Sequence, residues 1–175
     1  MPSQPSLRPF DIAVALRLVL VPEDRYEPLA TALATSTSAV HRSVARLQLA
    51  GICAPGTRTV RLEALMEFLE HGIRFAFPAV HGPERQGQPT AFAHPDLAPV
   101  NGISNEARPL VWAAEGGPVR GESLAPLFNG LTRVAAKDPR MHLLLAGVDA
   151  LRVGTQGQRD AAAAHLRQVL TARAA

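Results

Sequence analysis

The chain has 175 residues, of which 47% are hydrophobic and eight are aromatic (six Phe, one Trp and one Tyr). That is enough apolar material to bury a sizeable core in one domain, or in a small domain with an appendage. The formal charge is +3, and seventeen of the eighteen basic residues are arginine, Lys137 being the single lysine. Net charge this small carries no argument for nucleic acid unless it is concentrated. Cys53 is the sole cysteine, which excludes an internal disulfide and any multi-cysteine zinc cluster.

Residues 1–8 read as a flexible tail, polar and proline-interrupted, with no signal-peptide character. The apolar run from Ile12 to Val21 contains Arg17 and is too short to span a bilayer. A cytoplasmic protein without membrane contact is expected.

Pro9 suits the first turn of a helix running from Phe10 to about Val21, with Ile12, Leu16, Val19 and Leu20 at helical spacing. Pro22 ends it. A second helix is expected over Tyr26–Ala34. The run Thr35-Ser36-Thr37-Ser38 is rich in N-cap residues, and a third helix follows from Ser38 to about Ala50, stopped by Gly51. Ile52 to Val60 is broken by Pro55-Gly56, which fits a type II turn and a small β-hairpin. A fourth helix is expected over Leu62–His71, ended by Gly72, and the alternating run Ile73–Phe77 reads as a strand.

From Pro78 to Pro109 the chain is punctuated by proline and glycine and reads as a partly packed loop. A second hairpin is expected from Leu110-Val111-Trp112, a Gly116-Gly117 turn and Val119. Asp138-Pro139 opens an apolar helix over Arg140–Val153, and Ala161–Ala172 forms the last helix. The fold class is therefore mainly α with small β-hairpins. Its expected parts are an N-terminal unit of four helices and a hairpin over 9–72, a Pro/Gly-rich α+β region over 73–137, and a helical association region over 138–175.

In the second and third helices the packing pattern is specific. Small Ala30 lets the third helix cross closely over the second, and Val40, ten residues on, plugs the crossing. Val44 and Leu47 continue the buried stripe. Ala34 stands where such crossings usually place a turn glycine. The Val40–Gly51 segment, of the form V-x-R-x-x-x-x-L-x-x-x-G, resembles winged helix-turn-helix regulators of the MarR or IclR type over about residues 10–72. The resemblance implies that the third helix enters the major groove of duplex DNA, and that the chain is a sequence-specific transcriptional regulator. The natural role would be repression of its own or a neighbouring operon.

At about 100° per residue, Ser38, Arg42, Ala45 and Arg46 project away from the Val40/Val44/Leu47 stripe. Arginine grips guanine O6 and N7 bidentately, and hydroxyls reach phosphates. No Asp or Glu occurs from Pro28 to Leu62, whereas Arg42, Arg46, Arg58 and Arg61 do. An acid-free window is what approach to phosphates needs. The expected DNA-contacting residues are Ser36, Thr37, Ser38, His41, Arg42, Arg46 and Arg58, the last reaching a minor groove from the wing. Double-stranded DNA is the expected partner.

The six histidines form no HxH or HExxH pair, so no metal is expected, and no nucleotide or hydrolase motif stands out. No cofactor and no enzymatic activity are expected. Cys53 reads as a small buried residue. The helix Arg140–Val153 is apolar on nearly all sides, so it is either a core helix or, with the last helix, a homodimer seam. The rival reading is a protein-binding adaptor, such as an antitoxin-like chain that engages the product of a neighbouring gene.

Overall fold

The computed structural model describes residues 6–22, 25–98 and 108–174. Residues 1–5 of the expected tail and 99–107 of the expected loop lie outside the described residues. The chain is mostly helical, with one three-stranded sheet.

Three helices open it: α1 (Pro9–Leu20), α2 (Tyr26–Ala32) and α3 (Thr37–Leu49). Pro9 occupies the first turn of α1 as its fixed φ favours. The helix is buried on nearly every side, from Asp11 to Leu16 and from Leu18 to Leu20. It packs on α3 on one side and on the C-terminal helices on the other.

The α2–α3 turn is built by paired caps. Leu33 closes α2, Ala34 takes φ 51°, and the Thr35 N–H reaches back to the Ala30 carbonyl at 2.9 Å. Ser36 then caps α3, its Oγ accepting from the Ala39 N–H at 3.2 Å. Val40, Val44 and Leu47 are buried as their spacing requires. Gly51, with φ 75°, ends the helix.

The following segment is a minimal hairpin, a single antiparallel bridge between Cys53 and Val60. Its turn has the expected chemistry: Thr57 N–H bonds to the Ala54 carbonyl at 3.1 Å, and Gly56 sits at φ 69°. Gln48 of α3 ties it down by donating to the Thr57 carbonyl at 2.6 Å.

The strand expected over Ile73–Phe77 is helical instead. Regular helix α4 (Leu62–Glu67) passes through a wide π-type turn, Phe68–Gly72, into α5 (Ile73–Ala76). Leu65, Leu69 and Ile73, four residues apart, are all buried. That spacing outweighs the short apolar alternation, and Gly72 continues the helical path with φ −109°.

The loop expected from Pro78 contains the longest strand, β1 (His81–Thr90). It lacks apolar alternation because its first half is largely exposed, and Pro83 is tolerated at a break in register between His81 and Glu84. β2 (Leu110–Ala113) and β3 (Val119–Leu124) both form, but not as a simple hairpin. Each pairs antiparallel with β1, β3 along its first half and β2 along its second. They meet each other in parallel at Leu110/Glu122 and Val111/Ser123, closing a three-stranded barrel. So tight a barrel brings backbones into contact: a Cβ on Gly121 would fall 2.0 Å from the Pro109 carbonyl oxygen.

Helices α6 (Leu131–Lys137), α7 (Pro139–Val153) and α8 (Gln156–Ala174) complete the chain. Asp138 caps α7, accepting from the Arg140 and Met141 N–H groups at 3.0 and 3.2 Å. α8 starts five residues before the expected Ala161, at a reciprocal Thr155/Gln158 cap. The apolar surface of α7 is consumed within the chain, with Met141, Leu144, Leu145, Val148 and Leu151 all buried. Ala162, Leu166 and Leu170 of α8 are buried likewise. The homodimer seam expected from residues 140–172 is therefore intramolecular core. One apolar cluster runs from Ile12 through Leu65 and Trp112 to Leu170, so the 9–72 and 138–175 regions share it.

Candidate nucleic-acid interface

The outward face of α3 is formed by Thr37, Ser38, His41, Arg42 and Ala45, all exposed, with Ser36 at its N-terminal end. Ser36 and Ser38 hydroxyls lie 3.2 Å apart. Ser36 spends an acceptor on its cap, and either hydroxyl can donate in the Ser36–Ser38 contact. Arg42 edges a cavity of about 280 Å³ between α1, the α2–α3 turn and Phe128. No carboxylate lines that cavity.

Arg46 does not belong to this face. Its guanidinium turns inward and grips Asp11 of α1 bidentately, Nε to Oδ2 at 2.8 Å and a terminal nitrogen to Oδ1 at 2.6 Å. Asp11 has no solvent exposure, and its Oδ2 also accepts from the Arg8 N–H at 2.8 Å. A buried carboxylate needs such partners. The hydrogen bond to Asp11 raises the Arg46 pKa further. Arg46 therefore braces α3 against α1 and is not available to a base edge.

Arg58 is also displaced from its expected role. It does not extend from the turn tip; its guanidinium lies 4.9 Å from the centroid of the Tyr26 ring. His41 stacks on that same ring, with centroids 3.5 Å apart. Tyr26 was not among the residues singled out from sequence. Its place at the start of α2 gave only a half-buried helix terminus, and nothing local announced its two partners.

The C-terminal half carries a second polar concentration. Asp149 of α7 is fully buried and accepts from Trp112 Nε1 at 2.6 Å and Thr90 Oγ1 at 2.9 Å. It also pairs with Arg152. Burial pushes its carboxyl pKa up, while Arg152 and the two donors pull it back. Close by, His94 meets His142 edge-on with centroids 4.6 Å apart, and His142 Nε2 lies 2.8 Å from the Pro89 carbonyl. Burial first, and His142 second, hold the His94 pKa below its ordinary value. Asp149 has no access to a substrate, and this network reads as packing between the barrel and α7. Among the described residues, no group of three His, Cys, Asp or Glu side chains could hold a metal ion. Burial pushes the Cys53 thiol up to about 11, which leaves it protonated and inert at neutral pH. No described helix is long and apolar enough to cross a membrane.

No protein-family model matches the chain, and neither the curated proteins nor the solved structures yield a match.

Proposed function

We propose that the protein is a sequence-specific DNA-binding transcriptional regulator of the winged helix-turn-helix class, acting as a repressor at its own or a neighbouring operon. The observation that carries this reading is the free, acid-free outer face of α3, held by a short capped turn against α2 and braced from behind by Asp11–Arg46. Thr37 and Ser38 stand at the helix N-terminus, where hydroxyls and free N–H groups suit phosphate. Arg42, one turn further on, has the reach and geometry for a guanine edge. The 53–60 turn would lie beside the groove as a short wing.

With α7 and α8 committed to the core, the reading does not need a dimer. A single copy on a single site is the simplest arrangement, and DNA affinity then leans on phosphate contacts. The test is enrichment of binding duplexes from a random-sequence pool, followed by mobility shifts on the selected site. Enrichment of one motif, lost with Arg42→Ala, supports the reading. Recovery of no motif by folded protein removes it. One observation favours the adaptor reading as second choice: Leu49, at the end of the same α3 face, is 70% exposed and would suit an apolar protein partner.

A further inference from the structure

Tyr26 opens α2, and side chains from two other elements converge on its ring. The His41 imidazole, from α3, lies 20° from parallel to it at 3.5 Å. The Arg58 guanidinium, from the 53–60 turn, lies 4.9 Å from its centroid. Among the described residues Arg58 has neither an ion-pair nor a hydrogen-bond partner, and its Nε is buried with no acceptor. A buried, unanswered donor is costly, so the arrangement favours any acceptor that draws the guanidinium toward itself.

The geometry points to Tyr26 as a positioning residue that holds His41 and Arg58 together as a two-point clamp for a DNA phosphate beside α3. This inference rests on the DNA-binding reading above. An aromatic face holds a guanidinium without neutralising it, so the charge stays available to an anion. The imidazole keeps one N–H donor in either neutral tautomer. Ordering a long arginine side chain normally costs binding free energy, and here the ring orders it beforehand. The clamp also replaces the minor-groove role first expected of Arg58. A purely structural stack joining α2, α3 and the turn would show the same contacts, but it would leave counterion release on DNA binding unchanged.

Affinity for a selected duplex, measured by fluorescence anisotropy between about 50 and 200 mM salt, separates the two. Each neutralised phosphate adds about 0.9 to the slope of log affinity against log salt. Arg58→Gln should lower the slope by about that amount. Tyr26→Leu, which changes no charge, should lower it similarly, the double variant no further, and Tyr26→Phe should match the wild type. An unchanged slope in Arg58→Gln, or additive losses in the double variant, overturns the clamp. Should Tyr26→Leu not fold, the Arg58 Nε–H resonance of the wild type decides. Ring shielding in the free protein that changes on DNA binding supports the clamp, and indifference to DNA overturns it. Folded wild-type protein that binds no duplex removes the DNA reading and the clamp together, whereas binding with an unchanged Arg58→Gln slope removes the clamp alone.

Discussion

Replacing Ala34 by glycine should make the protein more stable. The end of α2 carries both hydrogen bonds of a Schellman cap, Thr35 N–H to the Ala30 carbonyl at 2.9 Å and Ala34 N–H to the Thr31 carbonyl at 3.2 Å. The end of α3 repeats the pattern, Ile52 to Leu47 at 2.9 Å and Gly51 to Gln48 at 3.0 Å. At the equivalent position Gly51 has φ 75° and Ala34 has φ 51°. A left-handed conformation costs an L-residue about 1–2 kcal/mol that glycine escapes. Glycine in turn adds about 0.4–1 kcal/mol of chain entropy to the unfolded state. The difference leaves Ala34→Gly ahead by about 0.5–1 kcal/mol, a Tm rise of about 1–4 °C for a chain of this size. Gly51→Ala supplies the mirror experiment, since its Cβ would meet nothing within 4 Å and its cost is the backbone's alone. Thermal and urea unfolding of both variants tests the reasoning. If Gly51→Ala loses about 1 kcal/mol while Ala34→Gly gains nothing, the left-handed turn is not what limits the α2–α3 corner.

Arg46→Met should cost about 3–5 kcal/mol, because it strips a buried carboxylate of its charged partner, and chemical unfolding should show the loss. Wild-type stability in that variant would mean that Asp11 is solvated. Arg42→Ala should leave the melt unchanged and cost about 1–3 kcal/mol on a selected operator, with relaxed preference at one base pair. Light scattering at micromolar concentration should return the mass of one 18.6 kDa chain, and a dimer would require a face other than the buried side of α7. Truncation after Gly121, which removes α7 and α8 from the far side of α1, should unfold the N-terminal helices as followed by circular dichroism. Between pH 7.5 and 5.5 stability should fall, since the unfolded chain protonates His94 near its ordinary value of about 6.5 while the folded chain holds it lower. The loss begins as pH drops through that unfolded value and is complete at the depressed folded one. His94→Gln should flatten the profile of Tm against pH.

Local periodicity carried the N-terminal helices well. Ile12, Leu16, Val40, Val44 and Leu47 are buried where their spacing placed them, and Gly51 and Gly56 take the backbone conformations their turns require. Arg46 shows where such reading stops. Helical phase says which way a side chain leaves the helix, but Asp11 lies 35 residues earlier and looks like an ordinary first-turn acid. The same limit hid Tyr26, whose partners come from elements 15 and 32 residues on by numbering. β1 had no pattern to find, because a strand closing a small barrel with an exposed half has no apolar face to alternate. Ile73–Phe77 failed for the opposite reason: five residues fit alternation by chance, and only the longer Leu65/Leu69/Ile73 register reveals the helix.

The ion pairs tie α3 to the rest of the chain more firmly than the small 53–60 turn could. Arg46 locks α3 to α1 through Asp11, and Arg17 locks α1 to Asp138 at the head of α7, at 2.9 Å. Asp138 at the same time caps α7, so one carboxylate serves both the helix terminus and the bridge. The outer face of α3 is thus referenced, in two steps, to α1 and α7, both largely buried. A recognition surface needs this kind of support, because a base-reading side chain loses its selectivity if its helix can tilt. On the DNA-binding reading proposed above, the C-terminal half would be the support behind α3, and the apolar surplus of α7 that suggested a second subunit is buried within the same chain.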